Sequence, residues 1–129
     1  MKTLYQITST VKHGKKIGRK LGFPTANIDL PESCPLSNGV YVAGLSIEND
    51  STIYMAAVNI GKHPSFPEGE PSIEAYVLDA DIDLYLKTIH LHFYKKIRDE
   101  IVFHDKTQLI FQINNDIAFV RDYFSLHAI

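Results

Sequence analysis

Hydrophobic periodicity changes once along this chain, at Asp105, and that change constrains the fold more than any other feature. Before it, the segments around Leu4 to Val11, Val40 to Ile47, Ile53 to Ile60, Ile73 to Leu78 and Thr88 to Tyr94 are rich in β-branched and aromatic residues, and turn residues bound most of them. Such runs predict strands. After it, Leu109, Ile113, Ile117, Val120 and Phe124 recur at helical spacing, and Asp105 followed by Gln108 offers a capping pair. One amphipathic helix is therefore predicted over roughly Lys106 to Phe124, packed on the strands by its apolar stripe. "IENDST" reads as a hairpin turn, whereas "PESCPLSNG" and "GKHPSFPEGEP" carry too much proline for central strands and read as loops. Antiparallel strands on short connections predict a closed or nearly closed barrel, which removes exposed sheet edges.

No repeat, low-complexity tract or linker divides the 129 residues, so residues 1–129 are read as one domain, long enough for a core without disulfide or metal staples. The single cysteine, Cys34, forms neither an internal disulfide nor a thiolate zinc site and suits a reducing compartment. No apolar run approaches membrane-spanning length and the N-terminus lacks the apolar stretch of a secretory signal. A cytoplasmic location without membrane attachment is expected. The net charge of −2 hides an asymmetry: no acidic residue precedes Asp29, while Lys12, Lys15, Lys16, Arg19 and Lys20 cluster before it. Such a cluster is either a solvated basic face or a seat for a polyanion, nucleic acid or nucleotide phosphates.

The segment "HGKKIGRKLG" is neither a Walker A loop nor a dinucleotide-binding glycine turn. Its Gly14, Gly18 and Gly22 nevertheless let backbone N–H groups approach phosphate oxygens, and Arg19 can add a charge-assisted contact. In "PTAN", Pro24 biases Phe23 toward extended geometry. Residues two apart in an extended segment face the same way, so Thr25 Oγ1 and Asn27 Oδ1 can converge on one point. Neutral hard oxygens of this kind suit Mg²⁺, which takes its charge balance from substrate phosphates. The competing reading of the stretch is a plain turn. Glu74, in "SIEAY", is a carboxylate in an otherwise apolar strand: it either faces solvent or, at the barrel mouth, is a candidate general base. His90 and His92 share a strand face but have no third ligand at sensible spacing, which favours an exposed face over a metal site.

"VKHGKKIGRKLGFPTANIDLP", "NGVYVAG", "AAVNIGKHPSF", "SIEAYVLDADIDLY" and "KKIRDEIVFHDKTQLIFQINNDI" occur in the order and spacing of the riboflavin kinase family, which the chain resembles over nearly its whole length. The resemblance implies a six-stranded antiparallel Greek-key barrel with the C-terminal helix, which phosphorylates riboflavin on its ribityl 5′-hydroxyl using ATP and Mg²⁺ and stops at FMN. By the same resemblance Thr25 and Asn27 are metal and phosphate ligands. Gly14, Gly18 and Arg19 form the flap over the ATP phosphates, Glu74 is the catalytic carboxylate, and Arg98, Glu100 and Phe103 close on the flavin. Riboflavin/FMN and ATP/ADP are the expected partners, nucleic acid is not, and a monomer is expected. Ser9, Tyr76 and Leu86 depart from the family pattern. Leu86 replaces a glycine near the nucleotide, at a cost of about a kcal/mol or more if its φ is positive. A non-catalytic flavin- or nucleotide-binding module is the alternative reading, and a nucleic-acid-binding barrel a weaker one.

Overall fold

The computed structural model describes residues 2–12, 25–61 and 71–127. Six strands and one helix follow in order: β1 (Tyr5–Thr10), β2 (Thr25–Asp29), β3 (Gly39–Ile47), β4 (Tyr54–Gly61), β5 (Ser72–Val77), β6 (Thr88–Arg98) and α1 (Lys106–Leu126). They pair antiparallel in the spatial order β1-β6-β3-β4-β5-β2. Strands β3, β4 and β5 form a meander and β6 returns beside β3, which is the Greek-key order. The two ends of the sheet meet where Lys12 bridges Asn27, its N–H donating to the Asn27 carbonyl at 2.8 Å. The expected six-stranded antiparallel Greek key with a C-terminal helix is thus present, as a curled sheet.

Alternation along the strands sorts side chains to the two faces of this sheet. Ala26, Ile28, Tyr41, Ala43, Leu45, Val58, Ile60, Ile73, Ala75, Ile89, Leu91 and Phe93 fill the concave side as one core. Strand β3 is buried on both faces over its first seven residues, because α1 covers part of the convex side. There Val120, fully buried, packs with Val42 and Leu78 among Ile117, Tyr123, Phe124, Tyr94 and Tyr76. Burying a valine of this kind contributes about 1.5–3 kcal/mol. The helix begins as its sequence directs: Asp105 is the N-cap and its Oδ1 accepts from the Thr107 N–H at 2.7 Å. The "IENDST" segment turns β3 into β4, with Asn49 at φ 67°.

Strand β6 runs four residues past the predicted Tyr94, through "KKIR". Two register shifts in its pairing with β3, between Val40 and Tyr41 and between Val42 and Ala43, explain the extension. Bulges of this kind break the period-2 pattern on which the sequence reading depends. They leave Tyr94 and Ile97 both against the helix. At the far end of β3, Gly39 has φ 152°, and a Cβ there would overlap the Arg98 carbonyl oxygen, so glycine is what lets β6 approach so closely.

The connection from β5 to β6 contains Leu86 at φ 65°, the left-handed conformation that leucine adopts at a cost. Its N–H donates to the Val11 carbonyl at 2.9 Å, and the Val11 N–H donates to the Lys87 carbonyl at 2.9 Å. This turn is therefore tied to the end of β1. Leu86 is 67% exposed, so packing offsets little of that cost. Leu86→Gly is expected to raise stability by about 1 kcal/mol, the relief of φ strain offset in part by glycine's unfolded-state entropy. Chemical denaturation checks this, and an unchanged or lower midpoint would contradict it.

Candidate active site

One transverse row of residues organises the convex face. Arg98 of β6 pairs with Val40 of β3, Val40 with Asn59 of β4, Asn59 with Glu74 of β5, Glu74 with Asn27 of β2, and Asn27 with Lys12. Directly paired residues on neighbouring strands point to the same side of a sheet. The flanking Ala26, Ile28, Val58, Ile60, Ile73 and Ala75 all belong to the concave core. Asn27, Glu74 and Asn59 therefore stand side by side on the opposite face. Glu74 lies there, partly buried between two amides.

Two of these groups are chemically incomplete. Asn27 Oδ1 and Asn59 Oδ1 are buried and accept no hydrogen bond among the described residues. A buried acceptor without a donor costs free energy, roughly 1–3 kcal/mol. Native structures keep such groups where a ligand, ion or water completes them. Thr25 shares the Asn27 face, being two residues earlier in the strand, and is exposed. A threonine hydroxyl and an orphaned amide oxygen form a neutral, hard donor set that fits a Mg²⁺ ion carried by phosphates. Among the described residues there is no group of three His, Cys, Asp or Glu that could hold a metal by themselves. His90 instead pairs with Thr8 across β1, Nδ1 to Oγ1 at 2.7 Å, as an ordinary strand-face residue.

The other end of the row is held by charge. Asp116 is the one carboxylate on the buried stripe of α1. It receives Arg98 Nε at 3.0 Å and Arg98 Nη2 at 2.8 Å, with Gln112 Nε2 donating at 3.1 Å. Arg98 Nη1 also donates to the Asp99 carbonyl at 3.1 Å, and its guanidinium carbon lies 6.0 Å from the Phe103 ring centroid. Glu100 follows directly: its carboxylate sits over Gly61, where a Cβ would overlap it, and Asn59 Nδ2 approaches Glu100 Oε2 at 3.4 Å. Segment 98–103 is thus pinned to α1 by Arg98 and rests on β4 through Glu100.

Of the residues singled out from sequence, Thr25, Asn27 and Glu74 come together on adjacent strands, and Arg98, Glu100 and Phe103 gather at the opposite end of the same row. Gly14, Gly18 and Arg19 lie outside the described residues. Asn59 and Asp116 were missed. The signal for Asn59 was in "AAVNIG", where alternation puts an amide on the face of Glu74; Asp116 offered none beyond being a carboxylate on an apolar stripe.

The family model described as Flavokinase: Riboflavin kinase matches residues 1–124. The chain belongs to the riboflavin kinase family. It is 42% identical over 127 residues to a bifunctional riboflavin kinase/FMN adenylyltransferase of Buchnera aphidicola from Acyrthosiphon pisum, covering 96% of this chain and 40% of that one. The chain thus spans less than half the length of such curated relatives. Among solved structures, riboflavin kinase from Trypanosoma brucei superposes with a TM-score of 0.66 at 26% identity, over 93% of this chain and 79% of that one. A macrolide-efflux protein from Streptococcus pneumoniae superposes with a TM-score of 0.77 at 31% identity, over 90% of this chain and 38% of that one.

Proposed function

We propose that this chain transfers the γ-phosphoryl group of ATP to the ribityl 5′-hydroxyl of riboflavin, giving FMN and ADP. The observation that carries the proposal is the single row on the convex face, which sets Thr25 and Asn27 on one side of Glu74 and Arg98, Glu100 and Phe103 on the other. A transferase for an alcohol needs that order: phosphates at one end, a proton acceptor in the middle, the body of the alcohol at the other end.

Phosphoryl transfer is mostly positioning and charge neutralisation through a loose transition state. Asn27 Oδ1 and Thr25 Oγ1 would hold Mg²⁺, which when bound neutralises charge on the phosphates. Gly14, Gly18 and Arg19, just before β2 in sequence, would cover those phosphates. Glu74 orients the 5′-hydroxyl in line with the γ-phosphorus. As the new O–P bond forms and the bond to the β-phosphate oxygen breaks, the alcohol proton passes to the Glu74 carboxylate. Phe103 and Glu100 would border the flavin ring. The guanidinium of Arg98 is already engaged by Asp116, so Arg98 would contribute by holding that segment in place.

Leu86 does not favour the non-catalytic alternative. Its cost falls on the backbone of an exposed turn, and its side chain points to solvent. No helix among the described residues is long and apolar enough to cross a membrane. Incubation of the chain with riboflavin, ATP and Mg²⁺ tests the proposal: FMN and ADP are expected in equal amounts. Riboflavin binding without FMN formation under saturating MgATP would overturn it.

A further inference from the structure

We infer that Asn59 is a substrate-binding residue which accepts a hydrogen bond from a secondary hydroxyl of the acceptor's polyol chain, one or two carbons from the hydroxyl that is phosphorylated. The inference rests on the kinase reading and adds a residue to its site. Three observations converge on Asn59. It is the direct cross-strand partner of Glu74, on the same face. Its amide nitrogen is turned toward Glu100 Oε2, at 3.4 Å. That leaves its amide oxygen buried and without a donor. With Nδ2 directed to a carboxylate, the remaining need is specific: Oδ1 requires an O–H or N–H.

The geometry of the row says where that donor comes from. Neighbouring strands lie about 4.8 Å apart. A chain whose terminal hydroxyl sits at Glu74 on β5 and whose ring lies toward Glu100 and Phe103 must cross β4 on its way. Its next hydroxyls then fall beside Asn59, at a step of about one strand spacing. Asn27, on the other flank of Glu74, has an orphaned oxygen too, but it stands beside Thr25 and is bridged to Lys12, on the side the kinase reading gives to the phosphates. The two orphaned amides thus divide the acceptor from the donor substrate. Gly61, two residues after Asn59 on the same face, leaves the room in which the Glu100 carboxylate sits near the Asn59 amide.

The shared chemistry, an O–H donor, is also available from metal-bound water, so the experiment separates the two. KM for riboflavin, KM for MgATP and the Mg²⁺ activation constant are measured for the parent chain and for Asn59→Ala. Removing one neutral hydrogen bond should raise the riboflavin KM about tenfold, with the MgATP KM and Mg²⁺ activation unchanged. Repeating the measurement with 3′-deoxy- and 4′-deoxyriboflavin supplies the other half of a double-mutant cycle. For the analogue lacking the contacted hydroxyl, the tenfold difference between parent and variant should shrink to about twofold or less. Asn59→Ser, with a shorter side chain that withdraws the acceptor, should give the same pattern if Asn59→Ala folds poorly. Equal penalties for riboflavin and both deoxy analogues would overturn the inference, and so would a shift in Mg²⁺ activation at constant riboflavin KM. Failure of the parent chain to bind or phosphorylate riboflavin would instead remove the kinase reading itself.

Discussion

Asp116→Ala is expected to cost the fold about 3–5 kcal/mol, the penalty for leaving a nearly buried charge without its partner. The Arg98 side chain is 15% exposed and that of Asp116 5%. Arg98 grips both carboxylate oxygens, at 3.0 and 2.8 Å. Truncating Asp116 strands the guanidinium between α1 and β6 and orphans the Gln112 amide that also points at the carboxylate. The loss is a large share of the roughly 5–15 kcal/mol that holds a domain of this size together. Urea denaturation of the variant measures it directly. A paired substitution, Arg98→Met with Asp116→Leu, should recover most of the loss, because replacing a whole buried ion pair by apolar groups is often neutral. A single variant within about 0.5 kcal/mol of the parent would show that water reaches the pair and screens it. The pair also anchors the segment that carries Glu100 and Phe103, so riboflavin affinity should fall in Asp116→Ala even at temperatures where the variant is folded.

That ion pair shows where sequence reasoning reaches its limit. The helix itself was legible: a capping aspartate and five apolar residues at helical spacing are local signals, and Asp105 does cap α1. Asp116 falls on the same stripe, and only its partner on β6 explains why a carboxylate belongs there. Strands β1, β3, β4 and β5 were legible within a residue or two because their composition and alternation are local. Strand β2 was read only as an extended stretch, since "PTAN" also reads as a turn. The end of β6 was lost because "KKIR" looks polar and two bulges break its alternation. The site divides along the same line. That Thr25 and Asn27 share a face follows from strand geometry alone, and Glu74 attracted notice as a carboxylate in an apolar run. That Asn27 and Asn59 flank Glu74 became visible only through the cross-strand register, which is set by pairing between segments far apart in sequence. The positive φ of Leu86 was anticipated only as a condition; the turn that imposes it is fixed by hydrogen bonds to the end of β1.

Asn27→Ala should separate stability from activity in opposite senses. Asn27 is 8% exposed, and its Oδ1 is buried without a donor among the described residues. A group in that condition is a cost to the ligand-free fold, of the kind that functional sites carry. Replacing it by alanine removes the orphaned oxygen, so the unfolding midpoint should stay within about 1 kcal/mol of the parent or rise above it. Phosphoryl transfer should behave differently. If Asn27 Oδ1 holds the divalent ion on the phosphates, its loss removes a stabilising contact from the transition state, where one such donor or ligand is worth about a hundredfold or more in kcat. Riboflavin affinity, read at the other end of the row, should change much less than MgATP affinity. Substituting Mn²⁺ for Mg²⁺ provides the internal control: the variant's activation constant should weaken for both ions, while the parent's does not. A variant with unchanged metal activation and unchanged kcat would place the ion elsewhere and leave the buried oxygen without a purpose. A large fall in stability together with kcat would mean instead that Asn27 is a structural residue whose amide holds β2 in place.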